Sequence, residues 1–317
     1  MVELNKMIAI PVDGSENAMR SLDYLNLMYG PEHNLEVNIF YVLPSLPSML
    51  SEGPVTDLED AARLKARLKA ITAKNIRMAE RILTEAKTAL IHEGFPEERI
   101  QTFYVKKKMS VAQEICIWAE GKRADSVLMT TRGRSRIEAF FMGEVASRTL
   151  EHCRVCPVWI VEGAVNSRSV LIGLDGSNYA LGAVDHAGFM LSGTDCHVTL
   201  FHTMRHLRRF IPLEVIEEAP ELEELWKHKA GQRIAPHLKQ AKEMLLEAGL
   251  TENQIATKVV DGSRSPAKDI LDEARSNGYG TIVIGRHGTS MVKEFFMGSV
   301  VRKVLDNCHG LAVWVVQ

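Results

Sequence analysis

Gly285, Gly288, Gly298 and Ser299 are spaced as a backbone cradle for an anion. In Ile284-Gly285-Arg286-His287-Gly288 the two glycines let the main chain turn and approach a ligand with no Cβ in the way. Nine residues later Gly298-Ser299 opens a predicted helix, whose free N–H groups and dipole favour negative charge. The chemistry is phosphate binding. Ser299 is read as a phosphate contact beside its ordinary role as a helix-start residue, and Val300 follows it in the first turn. Arg286 and His287 fall inside the loop, either facing a phosphate or facing solvent.

A damaged copy of the frame comes earlier. Met129-Thr130-Thr131-Arg132-Gly133 leads through nine residues to Gly143-Glu144, so Thr130 stands for the first Gly and Glu144 for the Ser. Thr130 restricts the backbone, and Glu144 puts a carboxylate where a phosphate would sit. A carboxylate at a helix start is itself stabilised by the dipole, so Glu144 is expected to fill the position from within. Arg132, Arg134 and Arg136 are the counterweight.

The elements that position these residues are duplicated too. Phe140-Phe141-Met142-Gly143 matches Phe295-Phe296-Met297-Gly298 at an offset of 155 residues (Gly143 to Gly298), and Leu150, Cys153, Val158 and Trp159 keep that offset with Leu305, Cys308, Val313 and Trp314. Upstream, Ile8 to Ser15 matches Val170 to Ser177 at 162 residues (Asp13 to Asp175). Two homologous halves follow, residues 1–163 and 168–317, joined by a short linker from Gly163 to Arg168.

Each half alternates strand and helix patterns. Strands are predicted at Met7 to Val12, Val37 to Leu43, Gln101 to Val105, Val127 to Thr131 and Val158 to Val161. In the second half they are predicted at Ser169 to Leu174, His197 to Thr203, Ala256 to Val260, Thr281 to Gly285 and Ala312 to Val316. Continuous Val/Ile/Leu runs between helices indicate parallel strands covered on both faces, the doubly wound α/β plan. Between the second and third strands, Pro44 to Thr56 reads as a loop before a helix from about Leu58 to His92. Arg205 to Pro220 reads as a loop before a helix reaching about Ala248. The basic run Arg205-His206-Leu207-Arg208-Arg209 is a solvated face or a phosphate clamp.

With 38 basic and 40 acidic residues the formal charge is −2, which gives no general electrostatic reason to bind nucleic acid. No uninterrupted apolar stretch reaches the roughly 18 residues of a membrane span, and the N-terminus shows no signal-peptide pattern. A cytoplasmic protein is expected. Five cysteines suit free thiols better than a disulfide framework, and Cys153-Arg154-Val155-Cys156 reads as buried packing rather than a metal or redox motif. His197, His202 and His206 approach a metal cluster only if the following loop folds back. No metal site and no catalytic residue are assigned.

With Asp175 at the end of the first strand and the Gly-x2-Gly-x9-Gly-Ser pattern of Gly285, Gly288, Gly298 and Ser299, the chain resembles a tandem universal stress protein. The resemblance implies a five-stranded parallel sheet flanked by helices in each half, of the adenine-nucleotide α-hydrolase-like kind, and ATP binding in the second half. It implies Asp175 near the adenosine, Thr203 where second-strand backbone meets adenine, and Gly285 to Gly288 with Gly298 to Val300 along ribose and phosphates. The first half, departing from the motif at Thr130 and Glu144, is expected to have lost ordinary ATP binding. The leading expectation is a regulatory stress-response protein, with magnesium admitted beside the nucleotide although no dedicated magnesium constellation occurs.

No Gly-x4-Gly-Lys-Ser/Thr loop and no evident general base are found, so ATP hydrolysis is expected to be slow at most. The alternatives are an ATP-using enzyme of the same fold group and a ligand-free scaffold whose halves dock through their last strands. Such docking gives a pseudo-twofold monomer, a homodimer of tandem chains being the other arrangement. Trp159 and Trp314 are read either as that contact or as each half's own core. Asp13-Gly14-Ser15 and Asp175-Gly176-Ser177 are read as strand-end turns rather than catalytic serines.

Overall fold

Apolar runs such as Met7-Ile8-Ala9-Ile10 and Leu311 to Val316 are hydrophobic at every position, so each can be satisfied only as a strand covered on both faces. The computed structural model describes residues 5–30, 33–47, 58–131, 142–219, 221–262, 265–288 and 297–317, and there the runs form ten strands. The first half is β1 (Lys6–Pro11), α1 (Glu16–Tyr29), β2 (Leu35–Leu43), α2 (Leu58–His92), β3 (Ile100–Lys106), α3 (Val111–Lys122), β4 (Ser126–Thr130), α4 (Glu144–His152) and β5 (Val158–Glu162). The second half is β6 (Val170–Gly173), α5 (Asn178–Leu191), β7 (Val198–Met204), α6 (Leu213–Glu218), α7 (Glu221–Glu247), β8 (Ile255–Asp261), α8 (Pro266–Ser276), β9 (Thr281–Gly285), α9 (Ser299–Leu305) and β10 (Leu311–Val316).

All ten strands lie in one sheet, in the order β3-β2-β1-β4-β5-β10-β9-β6-β7-β8. Every neighbouring pair is parallel except β5 with β10, which run antiparallel with Trp159 opposite Trp314. The halves therefore dock through their last strands within one chain. One face of the sheet is covered by α1, α2, α5 and α7, through residues such as Leu22, Ile82, Val184 and Leu238. The other is covered by α3, α4, α8 and α9, through Ile115, Leu150, Ile270 and Val301. Trp159 and Trp314 are fully buried, so each serves both its own core and the contact between halves.

Local chemistry fixes the strand-to-helix turns. The Asp13 carboxylate accepts from Ser15 N at 2.9 Å and the Asp175 carboxylate from Ser177 N at 3.0 Å. Each serine in turn accepts from the backbone N–H three residues on, capping α1 and α5. Gly14 and Gly176, at φ 75° and 80°, supply the left-handed residue each turn requires.

Two expectations need correcting. Within the segment read as a loop from Arg205 onward, Leu207–Arg209 forms a 3-10 turn and α6 forms a further short helix. Proline at 212 supplies its start, where a missing N–H is harmless. Cys153, expected to be a free thiol, is joined to Cys116 of α3 in a disulfide, while Cys156, Cys196 and Cys308 are free and buried. Of the histidines in and beside β7, His202 bonds to the backbone of Leu174 and His206 lies 3.7 Å from Glu223. Arg132, Gly133, Arg134, Arg136, Phe140, Phe141, Phe295 and Phe296 lie outside the described residues, as do Thr56 and Pro220. Among the described residues no helix is long and apolar enough to cross a membrane.

Candidate functional site

In the second half β6 lies between β7 and β9, so the residues leaving the carboxyl ends of these three strands emerge side by side. The chain runs from β6 to β7 on one side and returns through β8 and α8 to β9 on the other. That is the switch point at which open α/β sheets leave a crevice. A cavity of about 850 Å³ opens there, lined by Asp175, Thr203, Gly285, His287, Gly288, Gly298, Ser299 and Val300 among others.

The glycines are required by their neighbours. A Cβ on Gly285 would come within 2.6 Å of the Tyr179 carbonyl group, and a Cβ on Gly288 within 2.6 Å of the Asp175 carboxylate. The loop thus passes directly over the first-strand turn. At its far end Gly298 N donates to Arg286 O at 3.0 Å, and Gly298 precedes α9, so the two parts of the motif are tied by their own backbone. Thr203 donates through Oγ1 to Asp269 at 2.7 Å, which leaves its backbone at the cavity edge. The His287 ring lies 4.9 Å from that of Tyr179.

Arg286 departs from the other motif residues. Its side chain is buried and turns out of the cavity towards the first half. Nη1 donates to the carbonyls of Leu150 at 2.6 Å and Cys153 at 2.9 Å and to Oε1 of Gln317 at 2.9 Å, and Nη2 to the carbonyl of Glu151 at 3.2 Å. These are the last-turn carbonyls of α4 and the residue that caps it, where a cation is doubly favoured. The expected phosphate contact is therefore a clamp between the halves.

His202 faces the cavity and is held below the usual imidazole range, chiefly by burial. Its Nδ1 donates to the Leu174 carbonyl at 2.7 Å, which leaves Nε2 as the acceptor of the neutral ring. Sequence reasoning missed the opposite wall of the cavity, where Trp226, Lys229, Ala230, Arg233, Ile234 and His237 of α7 line up. The signal was present, because these positions recur every three or four residues and so share one face of a helix.

The first half keeps the frame and changes its lining. Gly143 N donates to Thr131 O at 2.7 Å, the counterpart of the Gly298 to Arg286 bond. Thr130 occupies the place of Gly285, and Glu144 opens α4 with its carboxylate paired to Arg148 at 2.9 Å.

Comparison with known proteins places this geometry in context. The model of the universal stress protein family matches residues 5–162 and again residues 166–317. Universal stress protein MJ0531 of Methanocaldococcus jannaschii is 29% identical over 161 residues, 50% of this chain and 83% of that protein. Universal stress protein YxiE of Bacillus subtilis is 30% identical over 151 residues, 45% of this chain and 97% of that protein. Among solved structures, a universal stress protein from Archaeoglobus fulgidus superimposes over 99% of this chain and 98% of its own, with a TM-score of 0.64 at 20% identity. A functionally unknown protein, PA1789 of Pseudomonas aeruginosa, does so over 99% and 93%, with a TM-score of 0.53 at 14% identity. At these identities the structural likeness concerns the fold, two repeats in one chain.

Proposed function

The chain belongs to the universal stress protein family, and on that premise we propose that it is an ATP-binding stress-response protein whose second half holds the nucleotide. One observation carries the reading. Asp175 and Thr203 border the same 850 Å³ cavity as Gly285, Gly288, Gly298 and Ser299, and Gly288 approaches Asp175 so closely that any Cβ would fill the space between them. Adenine lies at the end of β7 beside the Thr203 backbone, ribose by Asp175, and phosphates along Gly288, Gly298, Ser299 and Val300. Magnesium, if it accompanies the nucleotide, is held through the phosphates.

The first half is a partner rather than a second ATP site. Thr130 stands in the place of Gly285 and Glu144 in that of Ser299, so a Cβ and a negative charge replace the bare backbone and hydroxyl of the motif, and like charges repel. Occupancy of the second half then biases how the two halves present themselves to other proteins, as differential affinity for two states requires.

Calorimetry with ATP tests the proposal, using the intact chain beside Gly288→Val and Gly143→Val variants. One site per chain, lost in Gly288→Val and kept in Gly143→Val, is the expected outcome; absence of binding, or equal sensitivity to both changes, would overturn it. Recovery of the nucleotide as ATP separates a binder from an enzyme, which would release AMP and pyrophosphate.

A further inference from the structure

The cavity is larger than its motif. Facing the glycine loop is α7, which presents Trp226, Lys229, Arg233 and His237 along one stripe. The stripe is anchored at both ends. Trp226 Nε1 donates to the Arg205 carbonyl at 2.6 Å, just beyond the end of β7, and the Phe210 ring lies 5.1 Å from the indole. At the other end the His237 ring lies so near Gly176 that a Cβ there would come within 3.2 Å of it, beside the Asp175 turn. Lys229 and Arg233 stand between these anchors, and so span the distance from the β7 end to the β6 end.

Among the described residues their charge is not absorbed. Elsewhere on α7, Lys227 pairs with Asp261, Lys239 with Glu243 and Lys242 with Glu252. Among the described residues, no carboxylate pairs with Lys229 or Arg233. Among the described residues the cavity lining sets Arg205, Lys229 and Arg233 against a single carboxylate, Asp175. An uncompensated cationic wall focuses polyanions into a cleft.

The first half supplies an independent comparison. The offset of 155 residues that carries Glu97–Arg99 onto Glu252–Gln254 sets Trp226, Lys229, Arg233 and His237 against Ile71, Lys74, Met78 and Ile82. The aromatic, the second cation and the histidine thus occur only beside the intact glycine motif. A solvated helix face would have no reason to follow the motif in this way.

We infer that α7 forms a second wall of the site that reads phosphate number: Trp226 covers the base end, and Lys229 and Arg233, further along the stripe towards the Asp175 turn and Gly288, take the outer phosphates of a nucleoside polyphosphate. The motif loop then secures the nucleoside and the phosphate next to it, while preference for the longer chain comes from α7. This rests on the nucleotide reading above.

Titration of AMP, ADP and ATP into the full chain tests it, followed by calorimetry and by quenching of indole fluorescence. Affinity is expected to rise from AMP to ATP by about 100-fold, on the order of two charge-assisted contacts. In a Lys229→Ala/Arg233→Ala double variant that span shrinks to about fivefold or less, and Lys229→Arg retains it. Both side chains are solvent-exposed, so the variants fold. A double variant with the native AMP-to-ATP span overturns the inference, as does a native protein that binds the three nucleotides alike; in either case the nucleotide site itself stands. Binding of none of the three by the native chain overturns both readings.

Discussion

The indole rings of Trp159 and Trp314 lie face to face, with centroids 3.6 Å apart and planes 1° from parallel. The antiparallel register of β5 and β10 sets the two residues opposite one another, and the twofold-like arrangement brings their rings to one face of the sheet. Their acceptors differ: Trp314 Nε1 donates to the Tyr24 hydroxyl at 2.8 Å, and Trp159 Nε1 donates to Nε2 of His186 at 3.0 Å.

Trp159→Ala therefore removes a large side chain from a core shared by both halves. The expected loss is about 3–5 kcal/mol, read from urea unfolding as a fall in midpoint with one transition retained. A loss below about 1 kcal/mol, the range of surface substitutions, would show that the stacked pair does not hold the halves together.

His186 makes stability depend on pH. A strip of the residue reaches the surface, yet its ring is wedged against both indoles, and desolvation lowers its pKa to about 3. The unfolded chain, with an ordinary value near 6.5, binds the proton first. Stability is therefore untouched above about pH 6.5 and falls as pH drops from there towards about 3. His186→Tyr copies Tyr24 at the matching position of α1 and keeps an acceptor for Trp159. Urea midpoints at pH 7.5 and 5 should lie closer together in that variant, and an unchanged gap would assign the acid sensitivity to other groups.

Gly285→Ala and Gly288→Ala separate folding from binding. At Gly285 the new methyl meets Tyr179 backbone, which cannot swing aside, whereas at Gly288 it meets the Asp175 carboxylate, a side chain that can. Gly285→Ala is expected to destabilise by about 1–3 kcal/mol. Gly288→Ala should melt near the native temperature and lose ATP affinity instead. Equal melting shifts in the two variants would contradict this division.

Arg286→Met leaves the carbonyls of Leu150 and Glu151 in α4 and of Cys153, its cap, without their donor and removes a buried cation. About 1–3 kcal/mol per unsatisfied group is the scale involved. Hydrogen exchange should quicken at the amides of α4, Glu144–His152, in the opposite half from the substitution. Protection there that matches the native chain would mean that the clamp is not what secures the helix.

The strands and the motif were legible in the sequence because both follow from local requirements. Two-sided burial demands unbroken apolar runs, and close backbone approach demands glycine at 285 and 288. What escaped depends on direction rather than type. Arg286 and His287 are adjacent, yet one points into α4 and the other to the cavity, and nothing in their order distinguishes them. Cys116 and Cys153 meet because α3 and α4 pack together, across a sequence separation of 37 residues that offers no spacing to recognise. The α7 stripe has ordinary helical periodicity, and its polar side becomes a wall only once β7 is placed opposite.

The β5–β10 ladder has a further consequence for concentration. Between separate chains, a strand-to-strand contact is populated only above its dissociation constant and disperses on dilution. Here both strands belong to one polypeptide, and the joining segment from Gly163 to Arg168 is short, so each strand meets the other at an effective concentration set by the tether alone. The Trp159–Trp314 stack then forms equally at nanomolar and micromolar protein, and the unequal halves stay in a one-to-one ratio however little of the chain is made.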